Sequence, residues 1–314
     1  MLAVRIVQQQ GFEVDAFHIR TIFECCKTRA ARAAVDLGVR LTVLSVADDY
    51  IDVIRRPAHG YGKGVNPCVD CRIYMCKMAK RFMEQVDACA VVTGEVLGQR
   101  PMSQKRRDLS AVAAESGLDG RLLRPLSAML LPPTIPENEG LINREKLYAF
   151  TGRGRRSLIG LARQLGIREI PQPSTGCALT EVTFAPRVRD LIRFHHDATR
   201  GDFELLNVGR HVRIDQHTKV VLGRNETENL LLRRLFQPEE VPNTALLHPE
   251  NFLGPDLLVV GRVTAEAIEF AAALILRYSK RFDPEDAQVQ VTQSGTTRRI
   301  RARPEEATWA AKPL

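Results

Sequence analysis

Two cysteines spaced three apart, Cys68-Val69-Asp70-Cys71, follow Asn66-Pro67 and stand directly before an amphipathic stretch. At a helix start, the dipole and the free N–H groups lower thiol pKa and favour thiolate. Such a pair can bind one metal centre. Cys177, in the Gly-containing turn Ser174-Thr175-Gly176-Cys177, is a third candidate. Three thiolates suit a 4Fe–4S cluster whose fourth iron is open to an exogenous ligand; a structural zinc site wants four ligands. The chain has no second Cys-x-x-Cys and no histidine at ligand spacing from Cys177. Spacing alone leaves four readings open: an Fe–S cluster, redox or persulfide chemistry, zinc, and a purely structural role. Cys25, Cys26, Cys76 and Cys89 read as buried small hydrophobes, Cys76 within a helix and Cys89 in an apolar strand.

A second cluster runs from Thr93 to Gln104 (TGEVLGQRPMSQ), after an apolar strand and before a helix expected near Ser103. In a doubly wound sheet, ligands bind at the carboxyl ends of strands. Gly94 and Gly98 permit close backbone approach, and Gln99, Arg100 and Ser103 offer donors to a phosphate or a base. The alternative is an ordinary capped loop between a strand and a helix.

The elements that must position these residues follow from apolar periodicity. Residues 13–19, 40–46 and 88–93 have the composition and length of buried strands, and helical patterns lie at 27–37, 48–56 and 72–86. Strand–helix alternation implies crossovers and a parallel sheet, so the fold class is α/β, a doubly wound parallel sheet. Residues 2–9 read as a first helix with no strand or turn before it. Prolines at 125, 132, 133 and 136 make 125–140 an extended connector, followed by helical segments at 143–151 and 155–166. After about residue 200 the pattern changes to a smaller α+β unit. Strands are expected at 203–214, 218–223, 243–248 and 257–261, with helices at 226–236, N-capped by Asn225, and at 264–279. A hairpin over 287–303 and a loose tail complete the chain. The domains are therefore 1–200, 201–282 and 283–314.

The chain has 314 residues, 44% of them hydrophobic and 26% charged, as in globular proteins. No apolar run approaches the roughly 20 residues of a membrane span, and the N-terminus has no signal-peptide pattern. A cytoplasmic protein without a membrane partner is expected. Seven cysteines without a secretion signal do not form a disulfide framework. Net charge of +8 suits a polyanionic partner.

Taken together, these stretches resemble the PP-loop tRNA thiolases, the group containing tRNA 4-thiouridine synthase and tRNA 2-thiouridylase. Asn66-Pro67-Cys68-Val69-Asp70-Cys71 is similar to the N-P-x-x-x-C loop bearing the first sulfur-handling cysteine of the 2-thiouridylases, and Ser174–Cys177 to the segment bearing their second. Thr93-Gly94-Glu95, Leu97-Gly98-Gln99 and Leu123-Arg124-Pro125-Leu126 resemble motifs of the 4-thiouridine synthases. The resemblance covers residues 1–185. The additional Cys68 matches the Cys-x-x-Cys plus distant Cys pattern of the Fe–S-dependent members.

That resemblance implies ATP and Mg2+ as cofactors, with a 4Fe–4S cluster on Cys68, Cys71 and Cys177. It implies adenylation of a tRNA uracil carbonyl. AMP would then be displaced by sulfur held on the open iron or as a persulfide on Cys71 or Cys177. Gly94, Gly98, Gln99 and Ser103 would contact nucleotide or tRNA. The sulfur donor would be sulfide or a persulfide carrier, and a homodimer stays open. The family's S-G-G-x-D-S loop would fall upstream of Met1, so this form is expected to bind ATP poorly and to be inactive. The rivals are an ATP pyrophosphatase acting on another carbonyl or carboxylate, and a non-catalytic RNA-binding paralogue or truncated form.

The C-terminal unit resembles the RNA-binding domain of the NFACT proteins through Val208–Arg213 (VGRHVR) and Val221–Asn229 (VLGRNETEN). Arg210, Arg224, Asn225, Asn229 and Arg233 are the expected RNA contacts, Asn229 and Arg233 on the exposed side of their helix. A structural turn that merely caps the helix is the alternative.

Overall fold

The computed structural model describes residues 1–23, 29–170, 177–236 and 244–314. It divides into two compact units, Met1–Thr180 and Glu181–Leu314.

The first unit opens with α1 (Leu2–Gln8), whose Ile6 and Val7 are buried with Val96, Leu123, Leu126 and Ile142. β1 (Asp15–Arg20) pairs in parallel with β2 (Arg40–Ser45), α2 (Arg29–Leu37) lying between them in sequence. α3 (Tyr50–Arg55) and α4 (Cys68–Gln85) follow. β3 (Val91–Val92) pairs in parallel with β4 (Leu122–Leu123), with α5 (Arg106–Glu115) in the crossover. Strand–helix–strand units with parallel pairing are thus present. Among the described residues they form two separate two-stranded pairs.

The expected helix at 143–151 is absent beyond a short 3-10 turn at Arg144–Lys146. Tyr148 and Phe150 donate their backbone N–H to Pro125 and Leu126 O, at 2.9 and 2.8 Å. Pairing with the proline-rich connector therefore claims the amides that a helix would need. Within that connector, α6 (Ile135–Asn138) forms one turn because Thr134 and Glu137 make a capping box and Pro136 needs no amide partner there. α7 (Arg156–Gln164) closes the described part of the helical series. Cys89 is exposed rather than buried, since the strand is confined to Val91–Val92.

The second unit begins twenty residues before the expected boundary. α8 (Ala185–Phe194) contributes Asp190, whose carboxylate binds the Arg213 guanidinium, Nε to Oδ1 at 2.9 Å. Of the residues 203–209 expected as strand, 203–205 finish α9 (Arg200–Leu205), which starts from a Thr199–Asp202 capping box, and 206–209 form the turn into the next strand. A six-stranded sheet follows in the order β10-β9-β7-β8-β6-β5. Its strands are β5 (Arg210–Arg213), β6 (Thr218–Leu222), β7 (Thr244–Pro249), β8 (Leu257–Gly261), β9 (Gln288–Gln293) and β10 (Thr296–Arg301), every pairing antiparallel. α10 (Glu226–Leu235) precedes β7 and α11 (Ala265–Arg277) precedes β9.

One face of the sheet buries Val220, Leu222, Ala245, Leu247, Val289 and Val291 with α11. On the other, Val221, Leu258 and Val260 meet Leu205, Val208 and Leu232. The hairpin expected as a separate terminal piece is part of this sheet, because β9 pairs with β7 as well as with β10. The tail is not loose either. α12 (Glu306–Ala310) is held by Arg277, which donates to Thr308 and Ala311 O, and Leu314 N–H donates to His211 O at 2.9 Å.

Candidate functional site in the cysteine-bearing unit

α4 begins at Cys68, four residues before the expected helix. Pro67 cannot continue a helix backwards, and Cys71 N–H donates to Pro67 O at 2.8 Å. Cys68 and Cys71 therefore occupy the first turn, on one face. Asp70, between them, anchors the preceding loop by accepting from the Ala58 and His59 amides at 2.8 and 3.1 Å.

Val65 N–H donates to Leu179 O at 3.0 Å, tying the segment that carries Cys177 to the loop before Cys68. Ser174, Thr175 and Gly176 lie outside the described residues, as do Cys25 and Cys26. Tyr50, 2% exposed, sits at the meeting point, its hydroxyl 3.1 Å from Cys71 Sγ. Burial and the neighbouring Cys71, Cys177 and Cys68 push its phenol pKa well up. Cys71 itself is pushed up, because burial outweighs the Tyr50 hydrogen bond that lowers it. The helix start therefore does not make Cys71 a ready thiolate in this environment.

The Thr93–Gln104 loop adjoins the cysteines. Cys68 Sγ lies 3.4 Å from Ser103 Oγ, and Ser103 is fully buried. Gly98 adopts φ +72°, where a side chain would be strained, and its N–H donates to Gln104 O at 2.7 Å to close the loop. Gln99 is half-buried with its amide bonded to Val96 O at 3.1 Å; Gly94 is exposed, with open space where a side chain would project. α5 starts at Arg106, three residues beyond Ser103.

Sequence reasoning did not single out the groups beneath these loops. Glu95, 3% exposed, accepts from Arg124 Nε at 2.9 Å and from Thr93 Oγ1 at 3.2 Å, with Arg72 Nε 3.7 Å away. Arg124 also donates to Leu109 O at 2.9 Å. This buried pair ties the two quoted motifs together, and its signal was present in Thr93-Gly94-Glu95 and Leu123-Arg124-Pro125-Leu126. Tyr50 carried no comparable signal.

Cys71 touches the Tyr50 hydroxyl, and Cys68 and Cys177 are near enough to act on it electrostatically. Among the described residues, no three His, Cys, Asp or Glu side chains stand together as a metal site. No helix among them is long and apolar enough to cross a membrane.

In the second unit the expected RNA contacts are largely occupied by structural work. Asn229 is 7% exposed, not on the outer side of its helix, and its Oδ1 accepts from Asp256 N–H at 3.1 Å. Gly223 makes room for it, since a Cβ there would lie 2.0 Å from Asn229 Oδ1. Asn225 caps α10 by accepting from Glu228 N–H at 3.0 Å, and Arg224 Nε donates to Glu228 at 2.9 Å. Arg210 stacks over Tyr278, 4.9 Å from its ring centre. Arg233 remains part-exposed but binds Asp256, Nε to Oδ2 at 2.5 Å.

Comparison with known proteins finds one match within each of the two units. Residues 3–130 match the family described as thiamine biosynthesis protein (ThiI). Residues 209–310 match the NFACT protein RNA binding domain. One segment of the chain is thus similar to ThiI and another to the NFACT RNA-binding domain. No curated protein matches it. Among solved structures, the C-terminal part of the fibronectin/fibrinogen-binding protein from Streptococcus suis is 12% identical. That alignment covers 76% of this chain and 97% of the other with a TM-score of 0.26, too low to bear on the fold. The domain expected at 201–282 extends in the NFACT match to residue 310, in keeping with a sheet that includes β9 and β10.

Proposed function

We propose that this chain serves ATP-dependent thiolation of a tRNA uridine in the cytoplasm, its first unit a PP-loop-type, doubly wound domain and its second the holder of the RNA. The ThiI-like segment and the RNA-binding domain support the substrate class. The observation that supports the chemical reading is the environment of Tyr50, whose hydroxyl touches Cys71 and which feels Cys177 and Cys68, with Cys68 in turn against Ser103 of the Thr93–Gln104 loop.

ATP with Mg2+ would adenylate a uracil carbonyl oxygen and release pyrophosphate, so that AMP becomes the leaving group when sulfur attacks the carbon. Gly94, Gly98, Gln99 and Ser103 line the loop that would meet nucleotide or RNA. Cys68, Cys71 and Cys177 would hold a 4Fe–4S cluster, which would supply an open iron site for hydrosulfide, taken directly from sulfide or released from a persulfide carrier by a two-electron thiol reductant. In this chain's own structure, Tyr50 orients Cys71, Ser103 orients Cys68, and the Glu95–Arg124 pair fixes the loop between them.

The alternative is a non-catalytic RNA-binding paralogue or a truncated form that no longer binds ATP. Anaerobic purification separates the two: the thiolation reading expects a brown protein with acid-labile sulfide that is lost in Cys68→Ala and Cys177→Ala. A colourless, iron-free preparation, together with an unchanged set of tRNA thionucleosides by mass spectrometry in a deletion strain, would reject it.

A further inference from the structure

The six-stranded sheet is covered unequally. Its inner face is closed along its length by α11, with Ile300 and Ala311 packed at the β10 side. On the outer face, the apolar cluster extends only from β6 across β8 to Leu246 of β7. Beyond that line the register dictates what is presented. His248 lies opposite Gln290, Gln290 opposite Arg299, and Gln288 opposite Arg301. Directly opposed residues share a face. Their intervening neighbours Val289, Val291 and Ile300 belong to the inner core, so these polar side chains point outward.

This bare half is also where positive charge collects. On β10 the outward positions 299 and 301 are both arginine, and residues 288–303 contain no acidic residue. Arg299 is 71% exposed and is paired with Glu250, while Arg301 is paired with Glu285, itself 86% exposed. Exposed surface pairs of this kind contribute little, so a phosphate can take either arginine from its partner. At the margin, fully buried Asp256 binds two outward-reaching groups, Arg233 and His248. Its Oδ1 lies 2.7 Å from His248 Nδ1, which leaves Nε2 for a ligand.

We propose that this open half-sheet, built from His248, Gln288, Gln290, Arg299 and Arg301 with Arg233 at its edge, is the surface on which the second unit binds RNA. The proposal rests on the reading of that unit as an RNA holder, and it places the contact away from the Asn225–Asn229 turn. Arginines supply the phosphate contacts; the glutamines and the oriented imidazole supply hydrogen bonds to sugars and base edges. Charge complementarity selects a polyanion, and the absence of an exposed apolar stripe among these residues disfavours a protein partner.

The test is tRNA binding by the full chain across a salt series, comparing Arg299→Gln, Arg301→Gln and their double variant with Arg262→Gln. Arg262 is exposed at the other end of β8 and serves as a charge-matched control. The double variant should bind at least about tenfold more weakly, with a salt slope smaller by about 2, while Arg262→Gln stays near wild type. A wild type that binds tRNA with variants no weaker than Arg262→Gln overturns the surface assignment and leaves the RNA-holding reading intact. A wild type with no salt-dependent tRNA binding overturns both.

Discussion

Lys219 lies on β6, opposite Arg213 in the β5–β6 register, with 1% of its surface exposed. Burial lowers its pKa from 10.5 to about 8, although Asp190 resists the change. Below about pH 8 the ammonium is charged in both folded and unfolded chains. Between about 8 and 10.5 the unfolded chain holds the extra proton, so stability rises with pH across that window. His211, fully buried, is pushed well below 6.5 by burial and by Lys219 and Arg187. It therefore costs stability as pH falls through 6.5. Urea unfolding of the second unit should strengthen from pH 8 to 10.5 by on the order of 3 kcal/mol. Lys219→Met should flatten that rise and stabilise the unit at pH 7; an unchanged profile in the variant would contradict the assignment. Periodicity marked residue 219 as part of a strand, but nothing local distinguishes a lysine that faces α8 from one that faces water.

At the scale of the element, α10 shows why a motif can be recognised and its residues still be misplaced. Gly223-Arg224-Asn225 was readable as a turn with an N-cap, and Asn225 does cap the helix. Which way Asn229 points depends on the β7–β8 loop, whose Asp256 amide claims its oxygen. Asn229→Ala leaves that buried amide unpaired and should cost about 1–3 kcal/mol in urea denaturation, with tRNA affinity of the folded protein unchanged. A variant with wild-type stability and weakened RNA binding would restore Asn229 as a contact residue. The same logic explains 143–151, where a helical pattern yields to backbone pairing with the proline-rich connector, and 203–209, where the Thr199–Asp202 capping box starts α9.

For the molecule as a whole, the boundary at Thr180–Glu181 has a direct consequence. A fragment starting at residue 201 lacks α8, and with it the Asp190 carboxylate, whose side chain is 6% exposed in its pair with Arg213. Removing one partner of a buried ion pair costs about 3–5 kcal/mol, so a 181–314 fragment should unfold cooperatively by circular dichroism while 201–314 is markedly less stable. Equal stability of the two would move the boundary back to residue 200.

The linear chain by itself determined the cysteine spacing, the Thr93–Gln104 loop, the parallel strand–helix order and the two-part composition. All of these arise from local periodicity and short-range turn chemistry. The tertiary structure alone decided that Cys71 meets Tyr50, that Cys68 meets Ser103, that Glu95 is neutralised by Arg124, and that β9 and β10 finish the second unit's sheet. Those outcomes depend on contacts between residues far apart in sequence, where burial changes the energy of charged and polar groups by more than any local preference.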